Sequence, residues 1–495
     1  MHVDLTPEQA IGQKLLLAFS GKDRPASEFI QALLRYRAGG ITLFRHLNVD
    51  HPAQVRQLTD ALQSVAREND MPPLLIAADQ EGGQLMAIGS GTTALPGNMA
   101  LGATGSTELA FQAGLVLGNE LAAMGINVNY APCCDVNVNP HNPVIGTRSF
   151  GEDPLKVAQM AAAMIKGIQS AGVAATAKHF PGHGDTSSDS HLKLPHVLHS
   201  LEELRAVDLP PFNAAVRAGV KIVMSGHLAL PVIDGPRAPP ATLSARVLNG
   251  MLRGDLGFEG VIVSDALDMK AIRQGKRLGE TAVRAAAAGV DLFLLTDDPL
   301  GHQRVYDSLI RAEKDGRLPF ENLAASAARI LSMKRWIASH AQPYELDVIG
   351  STAHREVADE IARRSITIVR DREGLLPIRL DDKKRIVIVL PRPVDLTPAD
   401  TSSYVVPALG KAVRQFHPNT DELIIPHDPD AQEIAKVLHR LPKYDLILLA
   451  TINANDSPGQ ATLIRQALEL NHPLIVAALR LPYDLTAFPD APVFV

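Results

Sequence analysis

The densest run of reactive side chains reads Lys178-His179-Phe180-Pro181-Gly182-His183-Gly184-Asp185-Thr186-Ser187-Ser188-Asp189-Ser190-His191. One cation, three imidazoles and two carboxylates are set among two glycines and a proline, a mixture that can line a site and cannot pack a core. Loops this rich in ionisable groups serve function more often than structure. His191 follows Asp189 by two residues, and a carboxylate beside an imidazole orients the ring and raises its basicity, which suits a proton shuttle. Lys178, His179 and Arg148 can donate to hydroxyls, whereas Asp79, as a carboxylate, can only accept from them. Further carboxylates stand at Glu81, Asp135, Asp265, Asp268, Asp297 and Asp298. Displacement at an anomeric carbon with retention needs one carboxylate to attack and a second group, about 5 Å away, to protonate the leaving oxygen. Asp265 is the best nucleophile candidate, because Val261-Ile262-Val263-Ser264 reads as a rigid strand that would aim it. Its competing role is to cap the following helix, for which Asp268 is an alternative. His179, His183, Asp189 and His191 are also potential metal ligands. Barrel metal hydrolases draw ligands from several strands, however, and the first strand here ends in Ser20-Gly21, so no metal is expected.

The frame for these side chains is a recurring unit: a helical pattern closing at a glycine, a short apolar run, then polar residues. The runs are Gln13 to Phe19, Ile41 to Phe44, Leu74 to Ala78, Ile126 to Pro132, Val173 to Ala177, Val220 to Met224, Val261 to Val263 and Val290 to Leu295. Continuous apolar runs suit parallel strands buried on both faces, and glycine suits the left-handed end of a helix. Eight strands alternating with helices predict an α/β fold of the (β/α)8 TIM-barrel type, with the polar tails at the carboxyl ends where barrel sites assemble. Met224 and His227, at the end of the sixth strand, join the candidate substrate contacts. Thr6, Pro7 and Gln9 read as a capped helix start. The glycine fingerprint of a dinucleotide fold does not follow the first strand.

The barrel pattern is expected over residues 1–342, a linker over 343–354, and a second, sandwich-like α/β domain over 355–495. The strands expected in the second domain are Ile366 to Val369, Arg385 to Leu390, Asp421 to Ile425, Leu446 to Ala450, Leu474 to Ala478 and Ala491 to Val495. No helix follows the last, so this domain is expected to be incomplete.

Of 495 residues, 46% are hydrophobic and 21% charged, the balance of a globular protein with ample core, and a net charge of −6 leaves no electrostatic footprint for nucleic acid. The two cysteines, Cys133 and Cys134, are adjacent and form no disulfide framework, which favours a reducing compartment. The amino terminus lacks a basic segment followed by an apolar run, and no stretch is long enough to cross a bilayer. A soluble, cytoplasmic protein without a membrane partner is expected; nothing here specifies an oligomeric state.

The motifs resemble those of family 3 glycoside hydrolases, in the bacterial β-N-acetylglucosaminidase branch. The resemblance rests on Lys178 to Asp185 with Asp189-Ser190-His191, on Asp79-Gln80-Glu81-Gly82-Gly83, on Asn139 to Pro154, and on Val263-Ser264-Asp265-Ala266-Leu267-Asp268-Met269. It implies Asp265 as nucleophile, Asp189 and His191 as the acid/base dyad, sugar binding by Asp79, Arg148, Lys178 and His179, and no cofactor. The implied activity is retaining, exo-acting release of N-acetylglucosamine from a small oligosaccharide or muropeptide, a fragment of peptidoglycan or chitin, through a glycosyl-aspartate. Members with two domains carry an α/β sandwich after the barrel. The branch normally continues Asp-Gln-Glu-Gly-Gly with Arg, Val and a second Arg nearby; here Gln84-Leu85-Met86-Ala87 follows, which bears on the aglycone more than on the chemistry. Three alternatives stay open: a phosphorylase or other β-glycosidase of the same family, attack by the substrate's own acetamido group, and a non-catalytic sugar-binding protein.

Overall fold

The computed structural model describes residues 5–187, 194–269, 271–272 and 277–495. Two compact units divide the chain at Ser365/Ile366. The division falls later than the linker expected at 343–354, because the helix Thr352–Ser365 buries Ala358 and Ile361 in the first unit's core.

The first unit contains a parallel eight-stranded sheet: β1 Leu15–Leu17, β2 Gly40–Leu43, β3 Leu75–Ala78, β4 Val128–Asn129, β5 Ala174–Phe180, β6 Ile222–Ser225, β7 Val261–Ser264 and β8 Phe293–Leu294. Each strand pairs with its sequence neighbour, β1 pairs with β8, and the parallel bridge Val263 to Leu292 joins β7 to β8, closing the barrel. All eight strands fall inside or beside the expected apolar runs. Gly125, Gly172, Gly219 and Gly289 take left-handed φ values of 74°, 80°, 77° and 112° as the helix–strand turns require. At Ala38-Gly39 the left-handed residue is instead Arg37, with φ 48°. The Thr6 capping box with Gln9 and Pro7 forms as expected.

Early residues of the strands, Leu16, Leu75, Val128, Ile222 and Val261, fill the barrel interior together with Ile330, Met333 and Ile337 of the helix Phe320–His340. That helix therefore floors the amino-terminal end of the barrel, and the polar tails occupy the opposite end. Beyond β3 the chain forms a small hairpin, Gln80–Gly82 with Leu85–Met86, which alternation did not announce.

The second unit holds a six-stranded sheet: β9 Arg370–Asp371, β10 Ile386–Pro391, β11 Thr420–Ile425, β12 Leu446–Thr451, β13 Leu474–Ala478 and β14 Val493–Phe494, in the order β9-β14-β13-β12-β10-β11. Only β9 runs antiparallel. Ile366 to Val369, expected as a strand, is irregular, with Ile366 and Ile368 67% and 58% exposed; the chain reaches the sheet at Val369, whose N–H donates to Phe494 O at 3.0 Å, and β9 follows. Among the described residues no helix is long and apolar enough to cross a membrane.

Candidate active site

Lys178 emerges from β5 into a pair of carboxylates carried by β3 and the hairpin. Its Nζ lies 2.6 Å from Asp79 Oδ1 and 2.6 Å from Glu81 Oε1. A buried ammonium is tolerable only with such partners. Burial pushes its pKa down, but the two carboxylates outweigh that and raise it. Arg148, on the short 3-10 turn Gly146–Arg148, grips Glu81 with both arms of its fork: Nε donates to Oε2 at 3.0 Å and Nη2 to Oε1 at 2.8 Å. Burial would raise the Glu81 carboxyl; Arg148 and Lys178 win and hold it at about 2. Glu81 is therefore a permanent anion between two cations. Its side chain is 1% exposed whereas that of Asp79 is 28% exposed, so Asp79 presents the accessible carboxylate of the cluster.

His179 follows Lys178 with its ring edge toward Asp135. Nδ1 stands 2.8 Å from Asp135 Oδ2, and Arg148 Nη2 stands 3.4 Å from Nε2. Asp135 can only accept and Arg148 can only donate, which places the ring proton on Nδ1. The carboxylate of Asp135 also accepts from the backbone N–H of His179 at 3.1 Å, the N–H of His183 at 2.7 Å and the Cys133 thiol at 3.0 Å. Burial favours its neutral form, but the contacts with His179 and His183 prevail and hold it well below the usual carboxylate range. Asp135 thus fixes the turn after β5. His183 is part of that turn: its Nδ1 meets Thr186 Oγ1 at 2.6 Å, and burial pushes its pKa down to about 4, so the ring is neutral near pH 7.

Among the described residues, Cys133, Asp135 and His179 form a group whose potential ligand atoms all lie within 4.8 Å of one another. Burial pushes the Cys133 thiol far up, so it stays a protonated donor to Asp135. The three therefore read as a hydrogen-bonded triad, since a thiol must ionise before it can ligate.

Asp265 follows β7 at the carboxyl end of the barrel. Its backbone N–H donates to Ser225 O at 3.1 Å, and its Oδ1 accepts from Ala266 N at 2.8 Å. Tyr130, packed in the barrel interior, meets Thr42 Oγ1 at 2.9 Å, and burial pushes its phenol strongly up. Asp79 follows β3 and Asp265 follows β7, parallel strands of one barrel, so both stand at its carboxyl end.

The structure gathers Asp79, Arg148, Lys178 and His179 into one cluster. His227 is placed differently: it is fully buried, its Nδ1 2.8 Å from Thr242 Oγ1 and its Nε2 3.0 Å from Ala266 O, so it braces the residue after Asp265. Met224 packs in the barrel interior with Tyr130 and Val263. Asp189 and His191 lie outside the described residues. Asp268 meets Thr296 Oγ1, and Asp297 meets Ser20 Oγ. Sequence reasoning gave Glu81 and Asp135 no role although they hold the cluster; their signal was a carboxylate three residues beyond an expected apolar run, Leu74 to Ala78 and Ile126 to Pro132. Tyr130 carried no local signal.

A family model described as the glycosyl hydrolase family 3 N terminal domain matches residues 7–333. Beta-hexosaminidase A of Pseudoalteromonas piscicida is 36% identical over 428 residues, covering 79% of this chain and 71% of that protein. A beta-N-acetylglucosaminidase/beta-glucosidase of Cellulomonas fimi is 34% identical over 402 residues, covering 78% and 68%. Among solved structures, a glycoside hydrolase family 3 beta-N-acetylglucosaminidase from Paenibacillus sp. str. FPU-7 superposes with a TM-score of 0.92 at 38% identity, covering 99% of this chain and 93% of that one.

Proposed function

The chain belongs to glycoside hydrolase family 3, and from that premise we propose that it is an exo-acting, retaining β-N-acetylglucosaminidase. The observation that carries the reading is the Lys178–Asp79–Glu81–Arg148 cluster at the carboxyl end of the barrel, with Asp265 at the same end. The names of the relatives from Cellulomonas fimi and Paenibacillus support N-acetylglucosamine as the sugar.

In this reading the exposed face of Asp79 accepts from sugar hydroxyls, while Lys178 and the Nε2 edge of His179 complete the contact. Glu81 and Asp135 hold those groups in place, so ordering costs little when the sugar binds. Asp265 attacks the anomeric carbon, and His191, oriented by Asp189, gives its proton to the leaving oxygen. His191 then takes a proton from water, which displaces the aspartate and releases the sugar. We infer fragments of peptidoglycan or chitin as substrates, the first unit, to Ser365, as catalytic and the second, from Ile366, as accessory. The free, buried Cys133 and Cys134 suit a reducing, cytoplasmic setting.

The test is hydrolysis of a chromogenic β-N-acetylglucosaminide by the intact chain, with and without chelator and phosphate. Turnover should survive chelator and fall about a thousandfold or more in Asp265→Ala. Sugar 1-phosphate formed with phosphate would indicate a phosphorylase, and no turnover on this or other β-glycosides would sink the reading.

A further inference from the structure

Glu120, far from Asp79 in sequence, is buried on the helix Thr107–Ala123 and takes four hydrogen bonds from three residues on two separate segments. Its Oε1 accepts from Thr93 Oγ1 at 2.6 Å, from Gly350 N at 2.9 Å and from His354 Nδ1 at 2.9 Å, and its Oε2 accepts from Thr93 N at 3.0 Å. Gly350 and His354 belong to the stretch that leads toward the second unit. Gly350 has φ 60°, and a Cβ there would stand 2.9 Å from Gly91 O, so the backbones of this stretch and of the 88–98 loop run in close approach.

The 88–98 loop is attached to the sugar cluster along its length. At its start, Gln80, between Asp79 and Glu81, exchanges two hydrogen bonds with Ile88, its Nε2 to the carbonyl at 2.9 Å and its Oε1 from the N–H at 3.0 Å. Near its end, Leu95 O accepts from Gly83 N at 2.9 Å, which pins the hairpin that carries Glu81. At its last residue, Asn98 Nδ2 donates to the carbonyl of Arg148 at 2.7 Å. Both partners of the Glu81–Arg148 fork are therefore seated on one loop, and Glu120 is what clamps the middle of it.

We propose that Glu120 is a positioning residue: through Thr93 it sets the 88–98 loop that holds Asp79, Glu81 and Arg148 in register, and through Gly350 and His354 it ties that loop to the segment leading to the second unit. This rests on the reading of the cluster as the sugar site. An alanine at 120 would leave Thr93, Gly350 and His354 with buried donors and no acceptor, and the loop would re-settle. A shift of the cluster weakens sugar binding more than it changes the attacking carboxylate, which follows β7.

The test compares the intact chain with Glu120→Ala and Glu120→Gln, and with Leu449→Ala, a core change in the second unit, as a stability control. Glu120→Ala should raise KM about tenfold with kcat within about twofold, and Glu120→Gln, which keeps one acceptor oxygen, should recover part of the loss. Hydrogen exchange by mass spectrometry supplies a readout that needs no activity: amides of residues 80–98 and 144–149 should exchange faster in Glu120→Ala and not in Leu449→Ala. The inference fails if exchange at those segments is unchanged, or if KM is unmoved while the melting temperature falls. A wild-type chain without turnover overturns the glycosidase reading alone, since the exchange result still decides the role of Glu120.

Discussion

Lys178 and Arg148 are cations that water would hold far more cheaply than a protein interior, and each is made tolerable by Glu81. Two other buried lysines lack such compensation. Lys334, on the floor helix, has its Nζ 2.7 Å from the neutral Gln13 Oε1, and burial lowers its pKa to about 7; Lys14, beside Ser326 and Val290 O, is lowered to about 8 by burial despite Asp291. The sign follows from linkage. Between the folded value near 7 and the ordinary value of 10.5 the unfolded chain holds a proton at Lys334 that the folded chain gives up, so stability rises with pH across that window. Thermal unfolding of wild type and Lys334→Met from pH 6 to 10 should show the wild type gaining on the variant by about 2 °C or more as pH rises. Parallel curves would mean that Lys334 titrates as an ordinary lysine.

The cluster is held by elements whose backbones nearly touch. The helix Pro154–Ser170, which leads into β5, crosses the helix that carries Glu120 at Gly114 and Gly167. A Cβ on Gly167 would stand 2.1 Å from Phe111 O, and one on Gly114 would stand 2.3 Å from Met164 O. In an exposed helix Gly→Ala gains about 1 kcal/mol, but overpacking a tight contact costs about 1–3 kcal/mol. Because the obstacle is backbone, the second effect wins: Gly167→Ala should lower stability in denaturant titration, and a stabilised variant would contradict the close crossing. The eight barrel strands were legible because each is a continuous apolar run between a glycine and a polar tail, the mark of a strand buried on both faces. The placement of Asp79, Lys178, His179 and Asp265 at carboxyl ends of strands was legible for the same reason, since each closes or follows such a run. The hairpin after Asp79 was not, because Gln80-Glu81-Gly82 has no alternation and is ordered by Gln80 reaching Ile88. Ile366 to Val369 misled in the opposite direction: its β-branched residues read as a strand, but regular pairing with β14 begins at Arg370.

At the scale of the molecule, each unit carries its own core, one gathered around the barrel and its helices, the other around β10, β12 and β13. The two-part organisation was visible where the strand–helix unit stopped recurring, but the placement of Thr352–Ser365 was not, because an amphipathic helix does not say which core its apolar stripe will join. The roles of Glu81, Asp135 and Glu120 were likewise beyond reading from sequence, since each acts through partners tens to hundreds of residues away. The account as a whole stands on one chemical claim, that Asp265 attacks the anomeric carbon and is then displaced by water. Proton NMR of the first product released from an aryl β-N-acetylglucosaminide tests it most directly. Two displacements at one carbon predict that β-N-acetylglucosamine appears first and then mutarotates, with no product from Asp265→Ala; the α-anomer appearing first would contradict the account.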